Sequence, residues 1–180
     1  MSAPKPGSSR GNPSMGDIVR SVGVLAVIVL ALWGLGLLIT HTPDDPVSDV
    51  DYATTADSAR QAATYGLLAP ADLPEGWRAN GVRFTPGSTQ AWHLGVLTDE
   101  DRYIGLEQDK RPLDDVLEEH AEGAKQAGMV EIDGVTWQRF DGPKDRITLV
   151  RETPEVTTLV TTSTAPVEDL RTFIGTLTTG

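Results

Sequence analysis

Five residues have side chains suited to a ligand or partner surface: Trp77, Trp92, His93, Gln108 and Trp137. The tryptophans fall on predicted strands, where such side chains normally pack in the core and the indole N–H finds an acceptor. They would form the aromatic wall of a pocket only if two of them faced one cavity. Glu107 and Gln108 are neighbours on one strand, so they point to opposite faces. Either one enters a pocket while the other faces solvent, or they form cross-strand hydrogen bonds.

His93 is the histidine that falls within a predicted strand. As a catalytic base it would need a nucleophile to activate or a carboxylate to orient it. The three histidines have no HExxH spacing, and the chain has neither a P-loop nor a G-x-G-x-x-G phosphate loop. We therefore predict no metal, no cofactor and no enzyme activity. The alternative is an envelope hydrolase that uses carboxylates and His93, which requires these groups to converge in one pocket.

The composition excludes several classes of function. Residues 41–180 hold 25 of the 26 acidic residues and 12 of the 15 Lys and Arg, a formal net charge of −13. This charge repels nucleic acid, because a phosphate binder needs cations that release counterions. The chain has no cysteine, which excludes thiolate catalysis, zinc-thiolate sites and disulfides.

An uncharged apolar run at residues 21–40, SVGVLAVIVLALWGLGLLIT, has the length of a transmembrane helix. The run is too long for a cleaved signal peptide and ends without a good cleavage site. Lys5, Arg10 and Arg20 precede it, and five aspartates follow it before the next basic residue. By the positive-inside rule, the N-terminus is cytoplasmic and the C-terminal domain is extracytoplasmic. We predict a disordered tail at 1–16, a signal anchor at 17–40, an acidic linker at 41–51 and an exported domain at 52–180.

The exported domain shows the patterns of an α+β fold. An Ala-rich helix is predicted over residues 52–68, a second helix over 112–127 with Gly128 as its cap, and a last helix from Pro166. Alternating or β-rich segments between the helices predict the strands at residues 77–84, 89–97, 102–108, 129–132, 135–140, 146–151 and 156–162. The expected architecture is an antiparallel sheet of six to seven strands, flanked by about three helices.

Five short sequence motifs occur in the same order as in a known protein family. They are Val50-Asp51-Tyr52, Pro70-x-x-Leu73-Pro74-x-Gly76-Trp77, Trp92-His93-Leu94-Gly95, Tyr103-Ile104-Gly105-Leu106-Glu107-Gln108 and Gly134-Val135-Thr136-Trp137. The chain resembles the domain of unknown function 4245 family. The resemblance implies a single-pass membrane-anchored protein of actinobacteria, and it implies no activity. The Pro-x-Gly-Trp before the first strand also resembles Mog-like and PsbP-like domains, at the level of fold alone.

The expected function is a binding or interaction module at the cell envelope. Its partner would be another envelope protein or a small, lipid-like ligand, and its exported domain is expected to be monomeric. The anchor would confine the domain near the membrane and raise its effective concentration for partners there.

Overall fold

A computed structural model of the chain describes residues 20, 22–27, 29 and 50–180. The chain divides into two units, Met1–Pro46 and Val47–Gly180. In the first unit the described residues are helical, and none of the helices in the described part of the chain is long and apolar enough to cross a membrane. The predicted tail at 1–16, and most of the predicted anchor at 17–40 and linker at 41–51, lie outside the described residues.

The second unit is built from three helices and nine strands among its described residues. The helices are α1 (Tyr52–Ala62), α2 (Leu113–His120) and α3 (Val167–Gly175). The strands are β1 (Ala69–Pro70), β2 (Arg78–Thr85), β3 (Ala91–Leu97), β4 (Tyr103–Asp109), β5 (Lys125–Ile132), β6 (Val135–Asp141), β7 (Ile147–Glu152), β8 (Thr157–Thr162) and β9 (Leu177–Thr178).

Seven of the strands form one antiparallel sheet in the order β2-β3-β4-β8-β7-β6-β5. Two consecutive sets, β2 to β4 and β5 to β8, meet where β4 pairs with β8. The short strands β1 and β9 form a separate antiparallel pair. The α+β class and the seven-stranded antiparallel sheet are confirmed.

The central strands of the sheet are buried on both faces because helices cover each of them, whereas the edge strand β5 is mostly exposed. The first face carries Trp92, Leu106 and Val160, which pack with α1 and α3 in the larger core cluster. The second face carries Phe140, Val150 and Leu159, which pack with Val116 of α2 in a smaller cluster. Side chains alternate along each strand, so one strand supplies both clusters.

The helix predicted over residues 112–127 is too long by two turns. Helix α2 ends at His120, and Gly123 adopts a left-handed conformation with φ +77° that a helix cannot contain. Lys125 and Gln126 instead pair with β6, where the ladder supplies their hydrogen bonds. Gly128 is therefore not a helix cap; it lies at the bulge of β5, at φ +142°.

The first helix is also shorter than predicted. Helix α1 ends at Ala62, and Ala63 turns to an extended conformation with ψ 147°. The chain then runs along the sheet, so Leu67 is buried through contact with the core rather than through a helical face. This extended segment brings residues 66–68 against the centre of the sheet.

We expect Leu170→Ala to lower the free energy of unfolding by about 2–5 kcal/mol, because it leaves a cavity in the larger core cluster. Leu170 is fully buried on α3. The matched control on the same helix is Thr172→Ala, an exposed position that should change stability by no more than about 0.5 kcal/mol. Urea unfolding measures both, and equal effects would show that α3 is not packed on the sheet.

Candidate functional site

The structure places the five predicted surface residues on two faces of the sheet. Trp92 and Gln108 are register partners on the first face, and Trp137 packs in the same core cluster. Trp77 is half-buried against that cluster, just before β2. His93 pairs with Glu107 and faces the other way. The five residues therefore do not converge on one site.

Two adjoining pockets open on the first face, and we call them together the Leu68 groove. The first pocket has a volume of about 370 Å³ and lies between residues 66–68 and the β7–β8 turn. The second has a volume of about 240 Å³ and lies between β6 and the end of α3. Leu68 and Arg151 line both pockets. The remaining walls include Gln108, Val156 and Thr158 in the first pocket and Val135, Trp137, Ile174 and Leu177 in the second.

Gln108 fixes one wall of the Leu68 groove. Its Oε1 accepts a hydrogen bond of 2.7 Å from the backbone N–H of Leu68. Its Nε2 donates to the Gly66 carbonyl oxygen at 3.3 Å and to the Thr158 hydroxyl oxygen at 3.1 Å. The predicted cross-strand bonding is thus confirmed for Gln108, whose register partner on β8 is Thr158. The bond to Leu68 could not be read from the strand pattern.

The indole N–H groups of Trp92 and Trp137 have no hydrogen-bond partner among the described residues. The expectation that each buried indole N–H finds an acceptor is wrong for these two. Trp92 is fully enclosed, whereas Trp137 is 2% exposed and lines the second pocket. Among the described tryptophans, Trp137 alone belongs to the lining of the groove, so the aromatic wall contains one ring and not two.

Arg151 is the basic residue at the junction of the two pockets. Its register partner is Thr158, which places it on the same face as Gln108. It is half-buried, and no carboxylate oxygen of the described residues lies within 4.0 Å of its guanidinium. By contrast, Arg111 and Arg139 are each paired with a neighbouring aspartate. Within the described part of the chain, the guanidinium of Arg151 therefore keeps its donors available for another acceptor.

A second cluster of polar side chains lies on the opposite face, beneath α2. His93 Nδ1 is 2.5 Å from Glu107 Oε1, and His120 Nδ1 is 3.8 Å from the same oxygen. Glu107 is 8% exposed and Gln108 1%, so neither faces solvent, and of the two alternatives for this pair the cross-strand bonding is the one observed. Helix α2 covers this face and buries the carboxylate. The approach of His120 was missed, because it depends on how α2 crosses the sheet.

The surroundings of this second cluster are polar. Glu107 and His120 line a pocket of about 260 Å³ together with Tyr103, Glu119 and Arg146. Burial raises the pKa of Tyr103 above its usual value, and the negative charge of Glu107 raises it further. No group of three or more His, Cys, Asp or Glu within the described part of the chain is arranged to hold a metal ion.

A family model described as a protein of unknown function (DUF4245) matches residues 10–177. The chain belongs to the DUF4245 family. The match includes every helix and strand from α1 to α3, which confirms the resemblance seen in the sequence. The chain has no significant match among curated proteins or among solved structures.

Membership of the DUF4245 family assigns no activity to either site. The likeness to Mog-like and PsbP-like domains stays a prediction. The features of this DUF4245 protein that offer a function are therefore the Leu68 groove and the cluster around Glu107.

We expect Gln108→Ala to lower the free energy of unfolding by at least about 1–3 kcal/mol, since it leaves the Leu68 N–H without its acceptor. The matched control is Gln126→Ala, which removes an exposed bond to Gln138 and should have an effect below about 0.5 kcal/mol. Hydrogen exchange of the Leu68 amide gives a direct readout. Unchanged protection in Gln108→Ala would contradict this role.

The raised pKa of Tyr103 predicts alkaline sensitivity. The unfolded chain releases the phenolic proton near pH 10, while the folded chain holds it to higher pH. The stability is therefore complete below pH 10 and decreases as the pH rises from there toward the folded pKa. We expect Tyr103→Phe to lose less stability than the wild type between about pH 9 and pH 11 in urea unfolding.

Tyr103 suits this test because its hydroxyl makes no hydrogen bond within the described residues. Tyr65→Phe would be ambiguous, since the Tyr65 hydroxyl donates to the Gln90 carbonyl oxygen at 2.6 Å. An identical loss of stability at high pH in the wild type and in Tyr103→Phe would show that Tyr103 has the same pKa in the folded and unfolded states.

Proposed function

We propose that this DUF4245 protein is a binding or interaction module held at the actinobacterial cell envelope by a single transmembrane anchor. The anchor is residues 17–40, with the N-terminus in the cytoplasm and residues 52–180 outside. The uncharged run at 21–40 and its flanking charges support this topology. In addition, Val22, Val24, Leu25, Val27 and Val29 are helical and 56–66% exposed, which offers apolar surface suited to lipid.

The Leu68 groove is the observation that carries the binding proposal. Ligand sites are typically concave and mostly apolar, with a few polar groups that orient the ligand. The groove has apolar walls from Leu68, Trp137 and Ile174, and Arg151 is placed between its two pockets. Its two volumes, about 370 and about 240 Å³, suit a small molecule or a short segment of a partner.

The surface of the exported domain favours an occupant of this groove over a large apolar interface. Met129, at 63% exposure, is the one large apolar side chain classed as exposed within residues 50–180. A contiguous apolar patch is the usual sign of a stable protein interface. The lack of such a patch on these residues supports a monomeric exported domain. The net charge of −13 on residues 41–180 disfavours nucleic acid and anionic surfaces as partners.

Photo-crosslinking of the full-length protein in native membranes tests the proposal. A photoreactive amino acid replaces Thr179, an exposed residue that lines the first pocket. The matched control is Thr85, an exposed residue at the end of β2 on the far edge of the sheet. We expect an adduct of defined mass at Thr179 and none at Thr85.

A variant that narrows the groove, Leu68→Trp, should weaken the Thr179 adduct because Leu68 lines both pockets and the larger side chain intrudes where they meet. An adduct of undiminished yield in Leu68→Trp, or one that appears equally at Thr85, would contradict binding in the groove. Residues 1–46 alone serve as the control for contacts made by the anchor.

A second candidate function is an envelope hydrolase that uses carboxylates and His93. The contact of 2.5 Å between His93 Nδ1 and Glu107 Oε1 favours it, because a carboxylate at Nδ1 leaves Nε2 to accept a proton. If this candidate is correct, the wild type hydrolyses a p-nitrophenyl ester and His93→Gln is slower by about 10²-fold or more. Equal rates in the wild type and His93→Gln would reject it.

A further inference from the structure

The guanidinium of Arg151, which has no carboxylate partner among residues 50–180, gives the groove a specific chemical preference. A planar guanidinium with unpaired donors binds a carboxylate through two parallel hydrogen bonds, and partial burial strengthens them. Arg151 is half-buried at the junction of the pockets and has no carboxylate of the described residues within 4.0 Å. An anionic group entering the groove would complete its hydrogen bonding.

The apolar walls beside Arg151 favour a ligand that also has an apolar part. The second pocket is bounded by Val135, Trp137, Ile174 and Leu177, with Leu68 at the junction. A chain of methylene groups is stabilised by leaving water for such a pocket, in proportion to the apolar surface that it buries. The favoured ligand therefore has an anionic head next to an apolar chain.

The acidic residues of the groove limit the charge of that head. Asp133 lines the second pocket and Glu155 the first, and both are exposed. These two carboxylates repel a dianionic phosphate more than a monoanionic carboxylate. The two pockets are open, concave depressions, a shape that suits one chain rather than the flat surface of a bilayer.

We propose that the Leu68 groove binds a long-chain fatty acid, with its carboxylate on Arg151 and its acyl chain against Trp137. This inference rests on the proposed function and names the ligand class of the same site. Arg151 orients the ligand, and the second pocket supplies the apolar part of the affinity.

The test is photolabelling of the full-length protein in phosphatidylcholine vesicles. The probe is palmitate with a diazirine in the first half of its chain, and the matched probe is the corresponding hexadecanol, which lacks the charge. We expect palmitate to label residues 132–137 or 174–177, which line the second pocket. Arg151→Gln should lower this labelling by at least about tenfold, because a charge-assisted hydrogen-bonded pair is lost.

Two further variants keep the result interpretable. Arg151→Lys keeps the charge and should restore part of the labelling. Arg83→Gln removes an exposed arginine from the opposite face of the sheet and should leave the labelling unchanged. Circular dichroism shows whether each variant is folded.

Two results would overturn the inference. Equal labelling of the groove by palmitate and hexadecanol, unaffected by Arg151→Gln, would show that the groove binds apolar chains without recognising a carboxylate. Absence of labelling at residues 132–137 and 174–177 would show that fatty acids do not enter. In both cases the Thr179 crosslink reports separately whether the groove holds some other ligand, so failure of the inference is distinct from failure of the proposed function.

Discussion

The hydrogen bonds of Gln108 hold residues 66–68 against the centre of the sheet. One amide side chain joins β4 to β8 and to the segment that leads into β1. Because β1 pairs with β9, this contact also determines where the C-terminal strand lies. The walls of the Leu68 groove are this segment, β9 and the end of α3 on one side and the sheet on the other. The groove therefore depends on a buried polar group with satisfied hydrogen bonds, which specifies one arrangement of the chain.

Alternation along β4 gives the domain two chemically different faces. Gln108 faces α1 and α3 and supports an apolar groove, whereas its neighbour Glu107 faces α2 and contacts two histidines. A buried carboxylate is costly unless it is paired, and His93 supplies the nearest partner. The two faces are separated by the thickness of the sheet. The Leu68 groove and the polar cluster around Glu107 thus lie on opposite faces of the sheet.

The sequence predicts most strands because their apolar residues alternate over short windows. The predicted strand at 135–140 and the observed β6, Val135–Asp141, differ by one residue. The second helix was predicted too long because its Ala-rich continuation has helical propensity. Pairing of Lys125 and Gln126 with β6 outweighs that propensity, and such pairing involves residues more than ten positions away.

The candidate site was only partly predictable for the same reason. Trp137 and Gln108 were selected by residue type, but Leu68 approaches the sheet through a contact forty positions along the chain. Arg151 could have been found, since it shares strand parity with Ile147 and Leu149, whose side chains pack towards the first face. A charged residue at an inward-facing position is a local signal of a binding site. His120 gave no such signal, because its contact with Glu107 depends on helix packing.

We propose that ligands bind on the first face, beside Trp137, and not on the face that carries His93. The most direct test is to titrate residues 47–180, which contain both core clusters, with dodecanoate and to follow the two-dimensional NMR spectrum. We expect a saturable shift of the Trp137 indole N–H signal, with little change at His93 and His120. Shifts confined to His93 and His120, or no saturable shift at Trp137, would contradict it.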